Sequence, residues 1–427
     1  MSKKGRNHRK KARRRSRHPL RAEDASANLL EWMTANGFKL HRQLCVREFP
    51  ETGRGLATQQ KLTAGETFLR VPTWLLITTS TALSGNLHSF LMRHHQQLTP
   101  TEVLTLFLMN EKLRGLDSEW RFFIDSLPAA YTTPVFLGSR LLAQLPQAMC
   151  RKAEAQVSRI RSTFIRLQIL LKRASLGDSK LLSLSENFTW HLFVWAWTAV
   201  NTRCIFSKHR TGHSLWDDDY CALAPFLDCL NHHWKADVET AVVGSYFEIV
   251  TNNNYEPNDQ VFISYGSHDN KTLLLEYGFV LADNPNDVVA ITNGHLYELS
   301  LQQKDVVLHF ASKLLFLEEK DIISDTCGFT VDGLTWNGKI VVQVLSHPKA
   351  SRSEWNNLLF QCGEQELDQQ QSQLVVALIQ IMLCDYSTPL PEGKDWCSQT
   401  VAAFIKEETE VLKKQLYVYT IKSLSCA

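Results

Sequence analysis

Two hydrophobic periods share this chain, and their order limits the fold more than any single motif does. Short β-compatible runs at Val46–Glu48, Gly55–Ala57 and Thr67–Val71 are punctuated by Pro50, Gly53 and Ala64-Gly65, which predicts a small meander. From Thr99 to about Thr202 the period changes. Leu104 and Leu108, then Val157, Ile160, Phe164, Leu167 and Leu171, recur at three and four residues, the spacing of a helix face. Strand-type patterns resume at Tyr246–Thr251 and Gln260–Tyr265, and the turn formers between them predict a hairpin. A helix over 26–36, with Ser26 as N-cap and Gly37 past its end, precedes the first strands. Beyond Asn286, amphipathic stretches at Leu301–Leu317, Ser353–Phe360, Gln370–Cys384 and Val401–Leu416 predict a mainly helical C-terminal domain, with a strand-like patch near 328–343. The fold class is α+β, a β-rich body split by a helical insert.

Charge is unevenly placed. Met1–Arg21 hold eleven Lys or Arg and no acid, leaving 35 basic against 44 acidic residues in the rest. Residues 1–22 are therefore expected to be a disordered basic tail, since like charges repel and only Leu20 is a sizeable hydrophobe. Residues 3–21 could serve as a nuclear import signal or a nucleic-acid contact, or be no more than a solvated tail. Ten cysteines without a CxxC pair suit a reducing compartment, nucleus or cytosol. The longest apolar stretches fall short of the roughly 18 residues needed to span a bilayer, so no membrane segment is expected.

Three motifs carry chemistry. Thr52-Gly53-Arg54-Gly55-Leu56 opens a strand with a glycine-flanked turn, whose bare backbone either admits a ligand closely or simply makes a bulge. Leu223–Trp234 ends an apolar run in Asp228, Asn231, His232 and His233. Zinc is disfavoured there, because Cys221 and Cys229 lack the short structural spacing and adjacent histidines do not share a helix face. Val261–Gly266 and Glu276–Phe279 each carry a Tyr-Gly pair, where a tyrosine can present a hydroxyl while its ring stays packed. No G-x-S-x-G turn supports a serine hydrolase. Asp217–Asp219 lack the rest of a calcium loop and are expected to form a solvated face.

In order and spacing, GRGL (53–56), NTRCIF (201–206), LAPFLDCLNHH (223–233) and VFISYG with EYGF (261–279) resemble the SET-domain protein methyltransferases, in particular the Rubisco large-subunit methyltransferase branch. The resemblance implies a SET domain over about 44–285 with its insert near 78–200, followed by a substrate-binding-like helical domain over 286–427. It implies S-adenosylmethionine as cofactor and no metal. Gly53, Arg54 and Leu56 would contribute main-chain or packing contacts to the cofactor, Arg203 would pair with its carboxylate, and Asn231 and His232 would hold its amino-acid and adenine portions. Tyr265 matches the catalytic tyrosine, which also borders the cofactor, and Tyr277 the second active-site tyrosine; Phe279 would line the cofactor or lysine channel. His233 departs from the serine frequent after Asn-His, and Trp234 adds bulk. The implied function is a protein-lysine N-methyltransferase of nucleus and cytosol, with a histone tail as one protein substrate. Non-histone lysine or histidine methylation, or a non-catalytic interaction module, are the alternatives.

Overall fold

A computed structural model describes residues 22–40, 43–207, 215–216, 220–361 and 366–424; the basic tail and Asp217–Asp219 lie outside them. The chain divides into two compact units. One joins the described residues up to Ala129 with Arg166–Tyr265, and the other joins Ala130–Ile165 with Gly266 onward.

In the first unit, helix α1 (Ala22–Ala35) starts ahead of the expected cap, so Ser26 is buried within it. The stretch Ala22–Ala25 contains no helix breaker, and Gly37, at φ 91, reverses the chain after the last turn. Nine strands follow among its described residues: β1 (Leu44–Phe49), β2 (Gly53–Thr58), β3 (Glu66–Pro72), β4 (Cys204–Phe206), β5 (Cys221–Leu223), β6 (Asn231–His232), β7 (Val238–Val243), β8 (Tyr246–Thr251) and β9 (Gln260–Ile263). They build one sheet in the order β1-β2-β9-β6, a second in the order β3-β8-β7, and the pair β4-β5.

Two expected pairings are corrected. The first three strands make no meander: β1 and β2 are an antiparallel hairpin, but β3 pairs with β8. Nor do β8 and β9 form a hairpin. β8 turns back on β7 across Gly244-Ser245, where Gly244 takes the φ of 60 that a two-residue loop demands. The segment after β8 carries the chain from one sheet to the other, bridging Leu62 to Tyr255 and donating Asn258 N–H to the Thr58 carbonyl at 2.6 Å.

The insert is helical as its period requires. Helix α2 (Pro100–Arg114) opens with a capping box in which Thr99 and Glu102 satisfy each other's backbone amides, and every residue from Glu102 to Glu111 is buried. It packs on α4 (Trp190–Arg203), whose N-terminus Thr189 caps. Between them in sequence runs the 29-residue helix α3 (Gln147–Ser175), from which Arg166 pairs with the buried Glu102.

The second unit is mainly helical. Its short sheet, β10 (Val289–Ala290), β11 (Gly328–Thr330) and β12 (Gly333–Leu334), borders helices α5 (Trp336–Ser346) and α7 (Trp396–Leu424), and α6 (Gln369–Cys384) packs on both helices. The strand-like patch at 328–343 is thus half helix, because Thr335 accepts the Gly338 amide and caps α5. The stretch Leu301–Leu317 is likewise two helices, Asn293–Gln302 and Phe310–Glu319, broken where His309 adopts φ 57. Phe316, Phe329, Val341, Trp355, Leu378 and Leu412 belong to one buried cluster. No helix among the described residues is long and apolar enough to cross a membrane.

Candidate active site

The β-sheet of the first unit joins three distant sequence motifs. β6 runs parallel to β9, with Asn231 opposite Phe262 and His232 opposite Ile263, while β9 lies antiparallel to β2 at Leu56 and Ala57. Asn231 donates its side-chain amide to the Arg54 carbonyl at 3.0 Å. Gly55 is what allows this approach: a Cβ there would meet Gln260 Nε2 at 2.4 Å and Asn231 Nδ2 at 2.8 Å. Gly53 serves differently. Its φ of 67 closes the β1–β2 turn, and the space above it is open. Leu56 is fully buried between its strand neighbours Val46 and Val261, a packing position.

Tyr265 follows β9 and is tied twice to the Asn-His segment. Its hydroxyl donates to the Leu230 carbonyl at 2.7 Å, and its amide donates to His232 Nδ1 at 3.0 Å. An amide can only donate, so Nδ1 of His232 is the bare nitrogen and a neutral imidazole carries its proton on Nε2. The two rings lie near-parallel, with centroids 5.2 Å apart. With its proton directed at Leu230, the Tyr265 oxygen meets any further polar group as an acceptor.

Charge accumulates beside this motif. Arg203, at the end of α4, donates Nη1 to the Asp228 carboxylate at 3.0 Å and to its carbonyl at 2.8 Å, and the Asp228 side chain is 1% exposed. Arg54 donates Nη1 to the Ser126 carbonyl, while its Nη2 is enclosed with no hydrogen-bond partner among the described residues. Asp228 and the two guanidiniums all act on Cys229. Its thiol is pushed up to about 12 by burial and by Asp228, against the two arginines, so no thiolate nucleophile arises. Phe226 precedes this turn at φ 69, a strained value for a bulky residue, with its ring 5.9 Å from that of Phe38. His233 is held below its ordinary range by burial and Lys235, and its ring faces Trp234 and Phe262.

Tyr277 and Phe279 belong to the second unit. A short helix, Asn270–Thr272, widens into a π-turn over Leu273–Tyr277, closed by the Gly278 amide donating to the Leu273 carbonyl at 2.8 Å. Gly278 is required twice over, by a φ of 80 and by Thr133 N, which a Cβ would meet at 2.7 Å. Gln156 pins the turn at the Leu275 carbonyl and Glu276. The Tyr277 ring lies 5.7 Å from His268 and 6.2 Å from Phe279. Burial, then Glu276, raises its phenol, which keeps the hydroxyl protonated at neutral pH.

Gly53, Arg54, Leu56, Arg203, Asn231, His232 and Tyr265 therefore lie in one unit, and Tyr277 and Phe279 in the other. Sequence reasoning placed Asp228 and Gly55 inside the motifs without giving either a role, and it passed over the Leu230 carbonyl. Asp228 had a signal, because an acid inside the apolar run Leu223–Leu230 needs a cation.

No protein-family model matches the chain. SET domain-containing protein 4 of Mus musculus is 32% identical over 363 residues, covering 83% of this chain and 81% of that protein. The Homo sapiens protein of the same name is 32% identical over 335 residues, covering 78% and 74%. More distant relatives include a ribosomal lysine N-methyltransferase of Schizosaccharomyces pombe, 28% identical over 202 residues (46% of this chain, 34% of the relative). An actin-histidine N-methyltransferase of Mus musculus is 24% identical over 278 residues (64% and 45%). Among solved structures, Rubisco LSMT bound to sinefungin and monomethyllysine matches with a TM-score of 0.64 at 17% identity, covering 94% of this chain and 92% of that one. With a third of its residues shared along most of both chains, the protein belongs to the SET-domain protein methyltransferases, in the group of SET domain-containing protein 4.

Proposed function

We propose that the chain is an S-adenosylmethionine-dependent protein-lysine N-methyltransferase. The observation that carries this reading is the double tie of Tyr265 to the Asn-His segment, which fixes a phenolic oxygen beside the motif that would hold the cofactor. The residues suit that group: Gly55 lets Asn231 close on the Arg54 carbonyl, and the enclosed Nη2 of Arg54 is a donor awaiting an acceptor. Asn231 and His232 would hold its amino-acid and adenine portions, and Arg203, oriented by Asp228, its carboxylate. When bound, S-adenosylmethionine supplies a methyl group already activated on a sulfonium, so neither metal nor covalent nucleophile is required.

What the protein must manage is the substrate's proton. A free lysine near pKa 10.4 resists neutralisation at pH 7 by about 3.4 units, or about 4.6 kcal/mol. An apolar aromatic channel disfavours the ammonium form and lowers that cost. Tyr265 accepts from the amine and orients its lone pair for an in-line approach; by the resemblance, Tyr277, kept neutral, is the second active-site tyrosine. Phe279 lines the channel and helps exclude water.

We extend the proposal to a basic protein segment as substrate, a histone tail among them, since the chain beyond Arg21 carries nine more acidic than basic residues. Nucleus and cytosol are the proposed locations, with residues 3–21 as import signal or nucleic-acid contact. The test is transfer of labelled methyl groups from the cofactor to proteins of a nuclear extract, comparing parent with Tyr265→Phe and locating labelled residues by mass spectrometry. The variant should bind cofactor nearly as the parent does and lose at least about a hundredfold in transfer, the scale of a positioned catalytic group. Equal turnover would remove Tyr265 from the mechanism, and label on histidine would reassign the substrate.

A further inference from the structure

The second unit encloses ionisable side chains that methyl transfer does not use. Glu408 of α7 is 3% exposed, and Asp287, Lys271 and Asn270 are 3%, 7% and 1% exposed. Asp287 is engaged as an anion: its Oδ1 accepts the Asn270 backbone amide at 2.9 Å and its Oδ2 the Asn270 side-chain amide at 3.1 Å. Lys271 stands 3.3 Å from Asp269 and donates to the carbonyls of Val288 and Asp325. Glu408 has no ion pair among the described residues. Its Oε2 accepts the Tyr386 hydroxyl at 2.7 Å. Asp269 and Asp287 already share the one lysine, so a third negative charge here would be buried and uncompensated, and Glu408 keeps its proton instead. Burial, reinforced by Asp287, accordingly pushes its carboxyl up to about 8. Asp385, beside Tyr386, completes the surrounding charges, with His295 at 3.0 Å from its carboxylate.

The apolar neighbours of Glu408 on the same helix hold the π-turn. Val401, Phe404 and Ile405 form one buried cluster with Leu274, and Leu275 packs against it. Asn270 brackets the turn from outside, donating to the Leu281 carbonyl and accepting the Leu281 amide. The segment that ends in Tyr277 is therefore fastened at both ends to the Asp287 network and along its length to α7.

We propose that Glu408, hydrogen-bonded to Tyr386, is a positioning residue for Tyr277: its neutral form keeps α7 seated against Leu273–Tyr277, and its ionisation loosens that seat. The inference rests on the role given to Tyr277 above. Glu408→Gln preserves an acceptor for Tyr386 and cannot ionise. Hydrogen exchange of the full-length protein, corrected for base catalysis, reads the Gly278 amide that closes the turn. Its protection should fall about tenfold between about pH 7 and about pH 9 in the parent and stay level in Glu408→Gln. The alkaline limb of kcat should shift in parallel. Equal loss of protection in both proteins, or a level parent, overturns the inference. A difference in protection with no difference in kcat upholds the seat and removes Tyr277 from turnover. Should Glu408→Gln fail to fold, Tyr386→Phe serves: without the hydroxyl that steadies the carboxylate, the transition should move to higher pH, and an unmoved transition overturns the inference.

Discussion

Gly55→Ala tests the assembly of the site without touching a chemical group. The added methyl would sit 2.4 Å from Gln260 Nε2 and 2.8 Å from Asn231 Nδ2, both inside any tolerable contact. Gln260 is a long side chain and can swing away from its partner Thr52. Asn231 is short, and its backbone is fixed in the parallel pairing with Phe262. Relief therefore means giving up its hydrogen bond to the Arg54 carbonyl, about 0.5–1.5 kcal/mol, in addition to overpacking of about 1–3 kcal/mol. The sum, about 1.5–4.5 kcal/mol, corresponds to a fall in melting temperature of about 3–18 °C for a unit of this size. Because the displaced group belongs to the proposed cofactor site, calorimetric affinity for S-adenosylhomocysteine should drop about tenfold, the equivalent of 1.4 kcal/mol. Gly65→Ala is the control. It meets no atom and strains only its φ of 85, so it should cost about 1 kcal/mol and leave affinity unchanged. A Gly55→Ala protein with the parent's melting temperature and affinity would refute the steric account.

Two further outcomes follow from buried charge. Asp228→Asn leaves the Arg203 guanidinium without its anion and should destabilise by about 3 kcal/mol in denaturant unfolding; a loss below about 0.5 kcal/mol would mean the pair is solvated. Lys313 is fully buried, its ammonium held by the carbonyls of Leu345 and His347, and burial lowers its pKa to about 8 from 10.5. The folded state then binds fewer protons than the unfolded one between those values, so stability attributable to Lys313 rises with pH across that window. Lys313→Met should flatten the rise in melting temperature, and identical slopes would contradict it. The opposite sign holds for Glu408, whose carboxyl keeps its proton to about 8 against 4.5 unfolded, so its contribution falls as pH climbs through that range.

Local signals located the strands at 46–71 and 246–265 and the long helical stretches, because alternation, turn formers and the three-to-four spacing act within a few positions, whereas the one cap named, Ser26, lies inside its helix. Pairing was less legible. Tyr246–Thr251 alternates buried and part-buried residues as a strand should, but its partner Val238–Val243 is mostly exposed and offers no apolar stripe. The true hairpin signal, Gly244-Ser245, is two residues long and was outweighed by the turn-rich stretch 252–259. At the site, Asn231, His232 and Tyr265 could be named from motifs. The need for Gly55 is visible only once Asn231 and Gln260 converge on it from other strands. Glu408 reads as an ordinary polar position in an amphipathic helix until Asp287 and Tyr386 are placed beside it.

The π-turn beneath Tyr277 makes chain length itself a determinant of aim. Each residue of an α-helix advances the side chains by about 100°, so deleting one position between Leu273 and Tyr277 would restore regular winding and swing the phenol through roughly that angle. Relatives shorter here by a single residue would aim a different atom where the Tyr277 phenol now lies.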